Sequence, residues 1–105
     1  MEHLEASLLL GGLMRAKRME LGLSVEALID KLPHKVTSSY IYQMETAGYI
    51  PAADLIAQIA AALEMNVPKT MEMALKIKKD KIVTKYQKAL SKYLDSLNHK
   101  VELPK

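Results

Sequence analysis

Three stretches of this 105-residue chain decide its fold: KRMELGLSVEALIDKL at residues 17–32, VTSSYIYQME at 36–45 and PAADLIAQIAAALEMNV at 51–67. Their apolar residues recur three and four positions apart, which is the spacing of one buried helix face. Each stretch also begins or ends near residue types that bound helices. Because no stretch alternates apolar and polar residues as a half-buried strand does, the pattern predicts an all-α fold.

The first two stretches divide into three short helices. Helical spacing from Leu10 to Leu21 predicts the first helix, and Gly22 is a suitable stop. Ser24 and Thr37 are the residue types that cap helix N-termini, so we expect the second and third helices to begin after them. Pro33 disfavours helical geometry at the residue before it and predicts the turn between them.

The rest of the chain predicts three more helical segments. Pro51 suits the first turn of a fourth helix, and Asn66 suits the N-cap of a fifth, in which Leu75 is expected to face inward with Met71 and Ala74. A sixth segment is predicted from about residue 76 to residue 98. No glycine- and serine-rich linker separates these segments, which indicates one continuous helical unit.

Composition narrows the class of protein. The chain has no cysteine, which excludes disulfides and thiolate metal sites. It has no apolar run of the roughly 20 residues that span a bilayer, and it does not begin with a secretory signal pattern. We therefore expect a cytoplasmic protein with no membrane association.

Charge is distributed unevenly along the chain. Residues 1–75 carry six Lys and Arg against nine Asp and Glu, a net charge of −3, whereas residues 76–105 carry nine Lys against three acids, a net charge of +6. Any affinity for a polyanion is therefore expected to be strongest in the C-terminal segment.

With these features in place, residues 13–75 resemble the lambda-repressor/Cro (XRE) helix-turn-helix family. The resemblance is carried by Leu-Gly-Leu-Ser at residues 21–24, by Val36 and Thr37 followed by Ile41, and by Pro51 followed by Ala60 and Leu63. It implies a five-helix domain over residues 1–75, with a helix-turn-helix core at 13–67 and a recognition helix at about 37–47. Residues 76–105 would then add a basic amphipathic C-terminal helix.

The resemblance also implies an ion pair between Arg18 and Glu45 that ties the first helix to the end of the third. Charged residues on two packed helices need partners, since an unpaired buried charge is costly. The alternative is that both residues are solvated surface charges.

By the same resemblance, the third helix would read DNA bases in the major groove, and Gln43 is the strongest candidate because an amide bonds adenine at two positions. The base-reading candidates are Ser38, Ser39, Tyr42 and Gln43. The candidates for phosphate contact are Arg15, Lys17, Ser24, Lys35 and Thr37. No Lys or Arg occurs between residues 36 and 66, so few cations accompany the reading helix.

The C-terminal segment carries an apolar stripe with lysines on its opposite side. The stripe, here called the seam, consists of Val83, Tyr86, Leu90, Tyr93 and Leu97. Two interpretations are open: the seam pairs two subunits, or it packs on the chain's own helices. We expect pairing, because palindromic DNA sites require a two-fold partner.

Taken together, the sequence predicts a dimeric, sequence-specific DNA-binding regulator, most simply a repressor, whose partner is double-stranded DNA. The alternative is a protein-interaction module, such as an antitoxin, antirepressor or adaptor, built on the same fold. No catalytic constellation, metal-ligand spacing or cofactor motif stands out, so we expect no enzyme activity, no cofactor and no metal.

Overall fold

The computed structural model describes residues 2–102, and the side chains of residues 5–98, and in this part of the chain every regular element is an α-helix. Met1 and residues 103–105, which belong to the predicted segments 1–75 and 76–105, lie outside the described residues. The helices are α1 (Glu2–Glu20), α2 (Val25–Asp30), α3 (Ser38–Thr46), α4 (Ala53–Ala62) and α5 (Val67–Glu102).

The predicted N-caps at three helix starts are confirmed. Ser24 Oγ accepts a hydrogen bond from the Ala27 N–H at 3.0 Å, and Thr37 Oγ1 accepts one from the Tyr40 N–H at 3.1 Å. At the start of α5, the Lys69 N–H donates to Asn66 Oδ1 at 2.9 Å. Each bond satisfies an N–H that has no partner within its own helix.

The ends of α1, α3 and α4 are closed by residues in the left-handed conformation. Gly22 follows α1 with φ 71°, and Gly48 follows α3 with φ 77°, as expected for glycine after a helix. Glu64 adopts φ 58° after α4 although it has a Cβ atom. The N–H groups of Glu64 and Met65 donate to Ala61 O and Ala60 O, which forms a Schellman closure without glycine.

The core lies between α1, the helix pair α2 and α3, α4, and the first turns of α5. Its fully buried members come from α1 to α4 and include Met14, Leu28, Ile41 and Ile59, and α5 adds the buried Ala74 and Ile77. Helix α1 lies across the end of α3, and Gly11 marks the closest approach. A Cβ at this position would overlap the Met44 carbonyl oxygen, so the crossing requires glycine.

Helix α5 differs most from expectation. The predicted fifth helix and the C-terminal segment form one 36-residue helix, so the chain has five helices in its described part and not six. Leu75, expected to face inward, is 59% exposed, because the buried face of α5 consists of Thr70, Ala74 and Ile77. The seam continues into solvent, and the molecule reaches 68 Å in its longest dimension.

Two helix starts also differ. Helix α1 begins at Glu2 and not near Leu10, because its inward face continues upstream to the buried Ser7. Pro51 lies before α4, whose N-cap is Ala52, so the proline precedes the first turn instead of occupying it.

Candidate nucleic-acid interface

A buried ion pair joins α1 to the end of α3. Arg18 Nε donates to Glu45 Oε2 at 2.7 Å, and Nη2 donates to Glu45 Oε1 at 3.1 Å. The remaining terminal nitrogen of Arg18, Nη1, donates to the Leu23 carbonyl oxygen at 2.7 Å, in the turn that leads to α2. The hydrogen bond to Glu45 raises the pKa of Arg18 above its ordinary value. The pair expected between Arg18 and Glu45 is present, and the same guanidinium also bonds the turn before α2, which was not expected.

The outer face of α3 carries three of the four base-reading candidates. Ile41, Met44 and Glu45 point into the protein, while Ser39, Tyr42 and Gln43 are exposed. Tyr42 has half of its surface exposed, at 50%. Because the inward residues are buried and Glu45 is bonded to Arg18, the outward face is held at a fixed rotation about the α3 axis.

The fourth base-reading candidate, Ser38, is placed differently. Its side chain is half-buried, and its Oγ donates to Glu26 Oε2 at 3.2 Å. Glu26 lies in the first turn of α2, so this bond links the two helix starts and leaves a carboxylate beside the N-terminus of α3. The sequence did not predict this bond between Ser38 and Glu26. A Glu two positions after one N-cap and a Ser directly after the next were the available signal.

Two of the phosphate candidates are capping hydroxyls. Ser24 and Thr37 both accept backbone hydrogen bonds through oxygen, which leaves their hydroxyl hydrogens unused by the caps. Both residues are exposed, and each stands at a helix start, where backbone N–H groups favour an anion.

The basic phosphate candidates lie around the same helices. Arg15 is exposed on α1, and Lys17 forms a 3.5 Å ion pair with Glu20 one turn along α1. Lys35 Nζ lies 3.5 Å from Asp30 Oδ1, in the loop before α3. The bonds between exposed groups are weak, so an incoming phosphate competes readily for both lysines.

Two tyrosines join the first turn of α3 to the loop that follows it. The rings of Tyr40 and Tyr49 pack edge to face with centroids 5.1 Å apart. Burial, together with the neighbouring Tyr49 hydroxyl, raises the pKa of Tyr40 to about 12. Tyr49 remains 45% exposed, which places a second aromatic surface near Tyr42 along the chain.

The seam does not pack on the chain's own helices. Tyr86 is 72% exposed, Tyr93 62%, Leu90 58%, Val83 50% and Leu97 39%. The interpretation of the seam as part of the chain's own core is therefore wrong, because α5 extends past the last core residue, Ile77, by more than five turns.

An apolar groove of about 270 Å³ lies between the start of α4 and α5. Pro51, Ile56, Met71 and the exposed Leu75 are among the residues that line it. Leu75 and Ile82 are seven residues apart on α5, so the groove leads onto the same side of the helix as the seam.

Within residues 2–102, no helix combines the length and apolar character needed to cross a membrane. Comparison with models of protein families, with curated proteins and with solved structures finds no match to this chain.

Proposed function

We propose that this protein is a sequence-specific DNA-binding regulator, most simply a repressor, with a lambda-repressor-like helix-turn-helix formed by α2 and α3 and with two subunits paired through α5. The observation that carries the proposal is the arrangement of α3: its inward face is fixed by the Arg18–Glu45 pair, and its outward face presents Ser39, Tyr42 and Gln43. A rigid helix with exposed hydrogen-bonding side chains fits the major groove.

Base reading would centre on Gln43. Its amide offers a donor and an acceptor together, which matches the N6 and N7 edge of adenine and is worth about 1–3 kcal/mol of discrimination against a wrong base. Ser39 lies one turn earlier on α3 and would reach a neighbouring base or phosphate. Tyr42 would contact a thymine methyl group or a phosphate.

Phosphate contacts would come from outside α3. Helix α3 has no Lys or Arg, so the proposed phosphate contacts are the cations Arg15, Lys17 and Lys35 together with the capping residues Ser24 and Thr37 at the helix starts. DNA affinity falls with salt by a factor that reports the number of neutralised phosphates. The small number of these cations predicts a shallow salt dependence for the domain, increased only if the lysine face of α5 also reaches the backbone.

A protein-interaction module is the second candidate, and one observation favours it. Ser38 is engaged by Glu26, and Tyr42 on α3 and Tyr49 after it are both exposed in a stretch that has no Lys or Arg. Aromatic residues are enriched at protein interfaces, and a carboxylate beside α3 opposes phosphate.

Retention on nonspecific duplex DNA separates the two candidates. If the protein binds DNA, we expect it to be retained on the duplex at about 50 mM salt and to elute as the salt concentration rises, since released counterions drive nonspecific binding. The matched variant Lys35→Ala should elute earlier, and Lys31→Ala, two residues before the Pro33 turn, serves as its control. Passage of the unmodified protein through the column at low salt would contradict a DNA-binding function and favour the protein-interaction module.

A further inference from the structure

We infer that the projecting half of α5 pairs with α5 of a second copy in antiparallel orientation, and that the C-terminal end of each α5 lies against the groove between α4 and α5 of the other. The inference deepens the dimer of the proposed function, on which it rests, by giving that dimer an orientation, a register and a second contact.

The exposed apolar surface of α5 is large enough for a stable dimer. Beyond Ile77 the helix leaves the core, and seven large apolar side chains on it are at least 39% exposed. Two are tyrosines, each able to bury 150–250 Å². Their combined area is of the same order as the roughly 800 Å² that each partner contributes to a stable interface. These residues are Ile82, Val83, Tyr86, Leu90, Tyr93, Leu94 and Leu97.

The shape of this surface fits another α5 helix. Ile82 and Ala89 flank the seam on one side and Leu94 flanks it on the other, so the apolar face is broader than a two-position stripe. Lys81, Lys85, Lys88 and Lys92 lie on the far side of the helix and stay in solvent when the seam is covered. A second copy supplies the same apolar face on the same 36-residue helix and needs no other partner.

Charge selects the antiparallel orientation. Lys79 and Lys76 continue the spacing of the seam toward the body of the protein, so a parallel pair would place each against its own copy. Residues 76–87 carry five Lys and one Asp, whereas residues 88–98 carry two Lys and one Asp. An antiparallel pair sets the strongly basic half of one helix against the weakly charged half of the other, and it also opposes the helix dipoles.

The register follows from matching the apolar layers. Antiparallel alignment with the two-fold axis near residue 88 sets Tyr86 against Leu90 of the partner subunit, and Val83 against Tyr93 of the partner subunit. Leu97 of the partner subunit then lies level with Lys79. One turn further, the partner helix reaches Leu75, the exposed edge residue of the groove. The groove and the seam thus form one apolar track that a single antiparallel helix covers.

Site-directed spin labels test the orientation directly. The chain has no cysteine, so one engineered cysteine gives one labelled site. We choose Ser91→Cys and Asn98→Cys, because both positions are exposed and both lie on the same outer face of α5, seven residues apart. Distances between the labels of two subunits are measured in the free protein, without DNA.

The two orientations predict different distances. In the antiparallel pair, residues 98 are separated by about 30 Å along the helix axis and residues 91 by about 9 Å, at 1.5 Å per residue. Equal short distances at both sites would mean a parallel pair and would overturn the inference while leaving the dimer of the proposed function standing. Absence of dipolar coupling at both sites would mean a monomer and would overturn the inference and the dimer together.

Two further variants test the track itself. Leu90→Lys introduces a charge at the seam centre and is expected to abolish the coupling at both sites, whereas Lys92→Ala on the solvent face leaves it unchanged. Leu75→Lys, at the groove edge, is expected to weaken dimerisation about tenfold or more by sedimentation. A dimer that tolerates Leu75→Lys without loss would overturn the groove contact. DNA retention is measured separately on each variant, so that a loss of DNA binding is distinguished from a loss of dimerisation.

Discussion

Arg18 and Glu45, 27 residues apart in the chain, are joined by two hydrogen bonds of 2.7 and 3.1 Å in a site where the Glu45 side chain has no exposed surface. The Leu23 carbonyl takes a third bond from the same guanidinium. This pair fixes the rotation of α3, and with it the direction in which Gln43 and Tyr42 point.

Glu45→Ala is expected to destabilise the protein by about 3–5 kcal/mol, because it leaves a buried guanidinium without its carboxylate. Urea unfolding followed by helix content measures the change. Asp30→Ala, which removes the exposed 3.5 Å pair with Lys35, should cost about 0–1 kcal/mol and is the matched control. Equal, small effects of the two substitutions would show that the buried pair contributes nothing.

The adjacent glycines of α1 are expected to respond in opposite directions. Gly11→Ala forces its new Cβ into the Met44 carbonyl and should cost about 3 kcal/mol or more, because backbone must move. Gly12→Ala meets no atom within 4 Å and should stabilise by about 0.5–1 kcal/mol, because alanine favours the helix. Thermal melts of the two variants provide the comparison. A stabilised Gly11→Ala variant would refute the close crossing of α1 and α3.

Glu64→Gly is expected to stabilise the protein by about 0.5–1 kcal/mol. Glu64 holds φ 58° in the closure after α4, a conformation that costs a residue with a Cβ about 1–2 kcal/mol, while glycine loses some of this advantage in the unfolded chain. Glu64→Ala keeps the Cβ and should give no such gain. The free energy of unfolding in urea compares the two, and a greater gain with alanine would contradict the strained closure.

Glu26→Gln is expected to tighten DNA binding by about fivefold at low salt. The carboxylate beside Ser38 repels a phosphate by roughly 1 kcal/mol at about 4 Å in water, and glutamine still accepts the Ser38 hydroxyl. Fluorescence anisotropy with a labelled duplex measures the affinity. Glu72→Gln, at the groove between α4 and α5, removes the same charge elsewhere and should have little effect. Unchanged affinity in both variants would place the DNA away from α3.

Much of this arrangement follows from local sequence. The caps at Ser24, Thr37 and Asn66 and the stops at Gly22 and Gly48 are short-range hydrogen-bond and dihedral requirements, so residue type alone indicates them. The sequence also indicates that α5 is continuous, since no glycine or proline occurs between residues 69 and 103. A separate sixth segment was nevertheless predicted from about residue 76, where the net charge of the chain changes sign.

The features that the sequence did not predict depend on contacts between residues that are far apart in the chain or on different helices. From sequence alone, Gly11 is an unfavourable residue inside a helix, and its role is evident only once α3 is packed against it. The bond from Ser38 to Glu26 depends on the angle between α2 and α3, which helical periodicity does not specify. The apolar spacing of α5 alone predicts that Leu75 faces inward. The side chain is exposed because the rotation of α5 is set by its packing against α4 and α1.

Selection of bound sequences from a random duplex pool, run in parallel with the unmodified protein and with Gln43→Ala, tests the central claim most directly. The proposed function predicts an enriched motif for the unmodified protein, and for Gln43→Ala the loss of preference at one base position, worth about 1–3 kcal/mol, with the other positions retained. Gln58→Ala on α4 is the control and should return the original motif. A pool that shows no enrichment at low salt, or a motif unchanged by Gln43→Ala, would contradict base reading by α3.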